Sequence, residues 1–175
     1  MNSSSKKIAL ASIFAVTNVL LAFLALSLKL PIYLDCIGTI SSTKILGMKY
    51  GILTAIVSAL INFTYDSYAI YYMPVAIAIA ILANLFNAKK FKNGNIFIKT
   101  AIISILPSIL AAIITAKIFG GITSSGSSIV LQALTKLGLP MTVAAFLVQL
   151  PTDFLDKFIA IILSDKIYTR LNIKK

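Results

Sequence analysis

The sequence predicts an all-α membrane protein, a bundle of six transmembrane helices that forms a single domain over residues 1–175. Hydrophobic residues make up 59% of the chain and charged residues only 12%, with a mean hydropathy of +0.97. A soluble domain of this length needs more charge to cover its surface. A bilayer accepts apolar surface on every side of a helix but requires each backbone polar group to bond internally. The composition therefore favours membrane helices over a soluble fold.

Six apolar segments follow one another along the chain. The first, 8–28, holds no ionisable residue and is long enough to cross a hydrocarbon core of about 30 Å. The second runs from Asp35 to about Met48 and is a weak span, because Gly38 interrupts it and Lys44 lies within it. The other four are predicted at 50–65, 69–88, 98–119 and 140 to about 164.

The basic residues predict the orientation of these segments. Six spans place both termini on one side of the membrane, and twelve of the 16 Lys and Arg residues then fall on that side, several of them in a basic turn at 89–95. Three fall on the other side, and Lys157 lies inside the sixth span. Because positive residues accumulate on the cytoplasmic side, both termini are predicted to be cytoplasmic. The expected location is a bacterial plasma membrane, which the chain crosses several times.

Several classes of function are disfavoured by the residues that the sequence lacks. The net charge is +11, but no basic helix face is interleaved with aromatic residues, so nucleic acid is not an expected partner. With one cysteine and no histidine, the chain has no internal disulfide and no His/Cys zinc site. It carries no phosphate-binding loop motif and no recognisable nucleophile–base pair. No catalytic residue, cofactor or metal is predicted, and the lipid bilayer is the expected surrounding.

A polar rim is predicted at the outer end of the spans. Five of the seven tyrosines lie there in two short stretches, together with two aspartates and an asparagine. Tyrosine offers a flat apolar face and a hydroxyl, which suit a flat heteroaromatic ligand. An interfacial aromatic belt would have the same composition, and both interpretations stay open. The candidate ligand-binding residues are Tyr33, Asp35, Asn62, Tyr65, Asp66, Tyr68, Tyr71 and Tyr72.

The last span carries charges that are expensive inside a bilayer, at about 2.5–3.5 kcal/mol each on insertion scales. Asp153 and Lys157 are four residues apart on one helix face and are predicted to pair. Pro151 frees a backbone carbonyl near Gln149. A structural role is favoured for Asp156 and Lys157. For Asp153 and Gln149, a ligand contact and a structural role both stay open.

Two further features have simple interpretations. Ala11 and Ala15 lie four residues apart on the first helix and form a face that lets another helix approach closely, either a partner's or one of this chain. The Gly/Ser-rich segment 120–128 is predicted to be a flexible outer loop.

The chain resembles the substrate-binding S components of energy-coupling factor (ECF) vitamin transporters. The likeness is in layout over nearly the whole length: a basic N-terminus, Ala11-x-x-x-Ala15, LDCIGT at 34–39, LGMKYGILTA at 46–55, Asn62, and LPTDFLDK at 150–157. The absence of tryptophan departs from members that stack thiamine-like ligands on that residue.

The resemblance implies a six-helix bundle with an outward-facing pocket for a vitamin or related micronutrient. It implies as partners a membrane coupling subunit and two cytosolic ATPases, with Ala11 and Ala15 facing the coupling subunit. It also implies that this pocket makes the whole chain one substrate-binding domain, with Gln149 as a further candidate contact beside Tyr33, Asp35, Tyr65, Asp66, Tyr68, Tyr71 and Tyr72. Two other hypotheses remain: a helical subunit of a different membrane complex, and a small carrier acting alone with Asp153 and Lys157 along its path.

Overall fold

The computed structural model describes residues 4–86 and 94–172, and within these ranges all regular structure is helical, with no β-strand. The predicted all-α class is confirmed. The basic turn at 89–95 falls largely outside the described residues, as do Lys174 and Lys175. The helices are α1 (Ser4–Ser27), α2 (Ile37–Leu46), α3 (Met48–Asn62), α4 (Met73–Leu85), α5 (Ile96–Lys117), α6 (Ser128–Lys136) and α7 (Met141–Asn172), with a 3-10 turn at Ala69–Tyr72 before α4.

Six of these helices, all except α6, form an up-and-down bundle. The C-terminal ends of α1, α3 and α5 meet the N-terminal ends of α2, α4 and α7 around one cavity. The other ends of α2, α4, α5 and α7 surround a second cleft. Neighbouring helices in the chain therefore point in opposite directions, as six successive spans require.

The weak second segment is the central helix of the bundle. Helix α2 packs against α1, α3, α4 and α7, and its residues 37–43 are all buried. Its hydroxyls bond inside the protein: Ser41 to Ser164 at 2.9 Å, and Ser42 to Thr54 at 3.0 Å. A helix enclosed by protein does not need an apolar surface, which explains its low hydropathy.

Two helices, α1 and α5, are long and apolar enough to cross a membrane, with mean hydropathies of 2.3 and 2.2. Helices α2, α3 and α4 have 10, 15 and 13 residues. At a rise of about 1.5 Å per residue they reach roughly 15–22 Å. The predicted span 50–65 runs three residues past the end of α3, and the predicted span 69–88 begins with the 3-10 turn, so that α4 itself starts at Met73. Pro74, in the first turn of α4, marks its start, because a missing N–H costs nothing at that position.

A seventh α-helix, α6, lies between the fifth and sixth predicted spans and was not predicted. It follows the Gly/Ser-rich segment and packs against α7, where Leu131 joins a small apolar cluster with Ala112, Ala144 and Ala145. Its outward residues include Ile129, which is 76% exposed. The helix has only nine residues, which is too short for a membrane span, so the hydropathy pattern did not reveal it.

Ala11 and Ala15 are not on the surface. They are 3% and 2% exposed, and α3 approaches them so closely that the Ser58 hydroxyl lies 3.4 Å from the carbonyl oxygen of Ala15. The small-residue face therefore serves packing inside the chain, and its assignment to a partner is corrected. Gly38 provides a second close approach, because a Cβ there would overlap the carbonyl oxygen of Phe14.

Candidate functional site

The candidate site is a cavity of about 100 Å³ at the end of the bundle where the loops 28–36, 63–68 and 118–127 lie. Six helices contribute residues to its wall, and the loops cover it. A single buried water needs only about 10–15 Å³ measured in this way, so the space exceeds what one water fills. The cavity therefore has room for a small molecule.

Most of the predicted ligand-binding residues line this cavity. They come from two loops, the 3-10 turn and two α-helices that the linear sequence keeps far apart. The ones that line it are Tyr33, Asp35, Asn62, Tyr65, Asp66, Tyr72, Gln149 and Asp153.

Tyr68 and Tyr71 do not line the cavity, which corrects their predicted place in the site. Both rings pack edge-on against Phe119, with centroids 4.7 and 5.1 Å away. Tyr72 stacks on the same phenyl ring, with the two ring centroids 6.0 Å apart, and it also lines the cavity. All three tyrosines therefore pack on Phe119, and of the three only Tyr72 also lines the cavity.

Lys157 sits between two buried carboxylates, as the spacing of Asp153 and Lys157 predicted. Its Nζ lies 2.7 Å from Oδ1 of Asp153 and 3.1 Å from Oδ2 of Asp156. The Ser108 hydroxyl of α5 donates to the second oxygen of Asp153 at 2.6 Å. The ammonium is therefore neutralised within the protein, and Asp153 joins α7 to α5 while lining the cavity.

Asp156 has the structural role that the sequence favoured. Its Oδ1 accepts the backbone N–H of Leu34 at 2.9 Å, and its Oδ2 lies 3.4 Å from the Cys36 thiol. The side chain thereby holds the loop before α2 against α7. Asp35, Cys36 and Asp156 place ligand atoms within 4.8 Å of one another, a spacing that suits a metal ion. The Lys157 ammonium already supplies the positive charge at that point.

Asp35 lies in the loop between α1 and α2 and faces the cavity half-buried. Among the described residues its carboxylate forms no hydrogen bond or ion pair with another residue. Burial, reinforced by the negative charge of Asp156 and opposed by the Lys157 ammonium, raises the pKa of Asp35 to about 6. Burial likewise raises the pKa of Tyr33 to about 12, so that phenol stays protonated.

A chain of hydrogen bonds connects α7, α5 and the 3-10 turn at the cavity wall. Nε2 of Gln149 lies 2.7 Å from Oγ1 of Thr115, which lies 2.6 Å from the hydroxyl of Tyr72. Gln149 is only 5% exposed, and its Oε1 has no hydrogen-bond partner among the described residues. A buried acceptor without a partner is costly, so this oxygen marks a place for a donor.

The Gly/Ser-rich segment, for which composition predicted a flexible loop, contributes Ser124 and Ser125 to the cavity wall and forms several side-chain hydrogen bonds. The Ser124 hydroxyl donates to Oδ2 of Asp66 at 2.7 Å and so joins the loops 63–68 and 118–127. Ser125 and Ser127 bond to each other at 2.9 Å and are nearly buried. The serine hydroxyls of this segment form hydrogen bonds. Composition alone treats serine only as a residue of flexible loops.

Sequence reasoning missed Ser124, Ser125, Thr39 and Ser58 as lining residues and Thr115 as a connecting residue. These are small hydroxyl residues of common types, and no spacing in the sequence distinguishes them. Lys157 was predicted as structural, and it also lines the cavity.

The cavity wall combines three carboxylates with one ammonium, so it is a polar, acidic binding space. Its donors, acceptors and aromatic rings suit recognition of a small molecule. Comparisons of the chain with models of known families, with curated proteins and with solved structures found no match.

Proposed function

We propose that this chain is the membrane-embedded substrate-binding subunit, or S component, of an ECF-type importer that captures a vitamin or related micronutrient outside the cell. The observation that carries the proposal is the enclosed acidic cavity at one end of an up-and-down bundle. Its wall holds six of the eight residues that the family resemblance assigns to the ligand: Tyr33, Asp35, Tyr65, Asp66, Tyr72 and Gln149. The lining residues come from six helices and the loops between them, so folding of the chain positions them before a ligand binds. Such preorganisation favours high affinity.

In this proposal the six helices of the bundle cross a bacterial plasma membrane, with both termini in the cytoplasm and the cavity facing outward. Only 28% and 39% of the apolar windows in α1 and α5 are buried, whereas the core helix of a soluble protein would be mostly buried. Helix α2 needs no lipid-facing length, since other helices surround it. The cleft at the opposite end carries Lys44 and Lys99, as a cytoplasmic end should.

The proposed partners are a membrane coupling subunit and two cytosolic ATPases, which would hydrolyse ATP. The sequence carries no phosphate-binding motif, so the chain itself is expected not to turn over ATP. The coupling subunit would contact a surface other than Ala11 and Ala15, because both are buried. ATP hydrolysis by the purified chain alone would contradict this division of work.

One observation favours a second candidate, a small carrier acting alone. Asp153 and Lys157 line the cavity, where a transported ion or solute would meet them. Liposomes that contain only this chain distinguish the two candidates. Solute flux without partner subunits supports the carrier, and flux only with the coupling subunit and ATPases supports the importer.

The test of the binding function is mass spectrometry of small molecules retained by the protein through gentle purification. A stoichiometric small molecule is expected with the wild type. Asp66→Asn, in the cavity wall, should reduce its retention, while Asp165→Asn, in the opposite cleft, should not. No retained molecule from any growth medium, together with no saturable binding, would contradict a substrate-binding subunit.

A further inference from the structure

The hydrogen-bond chain from Gln149 through Thr115 to Tyr72 has a direction, and that direction limits what can bind beside it. Thr115 has one hydroxyl proton and accepts a bond from Nε2 of Gln149. Its proton is then available for the oxygen of Tyr72, which leaves the Tyr72 proton free. The chain thus ends in an acceptor at Gln149 and a donor at Tyr72.

The result does not depend on how the Gln149 amide is oriented. Its oxygen and nitrogen are exchangeable assignments. With the amide turned round, Tyr72 donates to Thr115, Thr115 donates to Oε1, and the amide N–H₂ is the group without a partner. The two ends then exchange roles, and one donor and one acceptor still remain. In the part of the chain that the structure describes, no other side chain bonds to Thr115.

The charge of the cavity adds a second limit. Asp35, Asp66 and Asp153 line it, and Lys157, the one ammonium that lines it among the residues the structure describes, already contacts two carboxylates. A ligand carboxylate or phosphate would meet carboxylates and find no free cation. Ligand N–H groups are favoured instead, because Asp35 has a carboxylate without a bond to another residue.

We propose that the ligand is uncharged or cationic and carries an amide-like edge, with an N–H and a C=O close together as in a lactam or carboxamide, which binds between Gln149 and Tyr72. This inference rests on the proposed function and specifies the ligand chemistry of the same cavity. A neighbouring donor and acceptor satisfy both ends of the hydrogen-bond chain at once, in either orientation. Loss of one of these bonds leaves a buried polar group unpaired.

The test uses three single-ring probes that differ in one feature each: uracil with a lactam edge, 1,3-dimethyluracil without its N–H donors, and orotate with an added carboxylate. Binding to the purified full chain in nanodiscs is measured by ligand-observed NMR titration. Uracil is expected to bind at least about tenfold more tightly than either analogue, as the loss of one buried hydrogen bond implies. Equal binding of the three probes would overturn the inference.

Variants assign any preference to the two ends of the hydrogen-bond chain. Gln149→Leu and Tyr72→Phe should each weaken uracil binding about tenfold. The variant that removes the acceptor end should leave the weak binding of 1,3-dimethyluracil unchanged, because this analogue lacks only the N–H donors, and that result also reports that the cavity is intact. Gln132→Leu is the matched control, since Gln132 is exposed on α6. Uracil binding that is unaffected by both cavity variants would overturn the inference.

The outcomes separate this inference from the proposed function. If a molecule is retained through purification but no probe shows a preference for the lactam edge, the inference about the ligand is wrong and the proposed binding function is still supported. Lactam-selective binding without ATP-dependent uptake in the presence of partner subunits sinks the importer and supports the inference. Absence of binding by every probe and every retained molecule overturns both.

Discussion

Replacing Lys157 with methionine is expected to destabilise the protein severely. The Lys157 side chain is 3% exposed and contacts the carboxylates of Asp153 at 2.7 Å and Asp156 at 3.1 Å. Methionine fills much the same space but leaves two buried carboxylates without a cation. Removing one partner of a buried ion pair costs about 3–5 kcal/mol. For a chain of this size that corresponds to a fall in Tm of roughly 6–20 °C.

Lys44→Met is the matched control, because it breaks an ion pair of the same type at the other end of the bundle. The Lys44 and Asp165 side chains are 27% and 51% exposed, so their pairing is worth about 0–1 kcal/mol. Unfolding can be followed with a fluorogenic thiol reagent, because the single cysteine, Cys36, is 2% exposed in the folded protein. Helical circular dichroism serves as a second measure, since Cys36 touches Asp156.

A triple variant tests the physical cause. Combining Lys157→Met with Asp153→Asn and Asp156→Asn removes the unpaired charges, so much of the lost stability is expected to return. The reasoning is refuted if Lys157→Met melts within about 2 °C of the Lys44→Met control. It is also refuted if the triple variant is less stable than Lys157→Met alone.

Three further predictions follow from the cavity and the helix contacts. Because the folded-state pKa of Asp35 lies near 6, above its ordinary value of 3.8, its contribution to stability falls as pH rises from about 4 to 6. The Tm of Asp35→Asn should therefore decline less over that interval than the wild-type Tm, and parallel curves would contradict this. Ser124→Ala removes the hydrogen bond to Asp66 that joins the loops 63–68 and 118–127. Hydrogen exchange followed by mass spectrometry should therefore be faster at the backbone amides of segment 120–127. Unchanged exchange would count against the role of this bond. Gly38→Ala should prevent stable folding or lower Tm far more than the control Gly120→Ala. A Cβ at Gly120 meets nothing within 4 Å and costs only about 1 kcal/mol of backbone strain. Equal Tm values for the two variants would refute the close approach at Gly38.

The pairing of Asp153 with Lys157 could be predicted from sequence because it lies within one helix. Residues four apart share a helix face whatever the rest of the fold does. The contacts of Asp156 with Leu34 and Cys36 could not, since they join positions more than 100 residues apart. The sequence indicated a costly buried charge, and the fold supplied its partners.

The tyrosines show the same division. Composition placed five of them at one end of the bundle, but it could not separate Tyr72, which lines the cavity, from Tyr68 and Tyr71, which pack on Phe119. Phe119 lies two residues after the end of α5, and only helix packing brings it to that position. The orphan oxygen of Gln149 depends in the same way on Thr115 of α5.

The sequence by itself determined the all-α class, the order of the apolar segments and the local ion pair, because hydropathy and helical spacing act over a few neighbouring residues. Only the tertiary structure decided that the polar second segment is the central helix, that Ala11 and Ala15 pack inside the chain, and that α6 exists. It also decided which polar groups meet at the cavity. These features depend on which helix lies beside which, and that arrangement is fixed by packing of the whole bundle rather than by any local pattern.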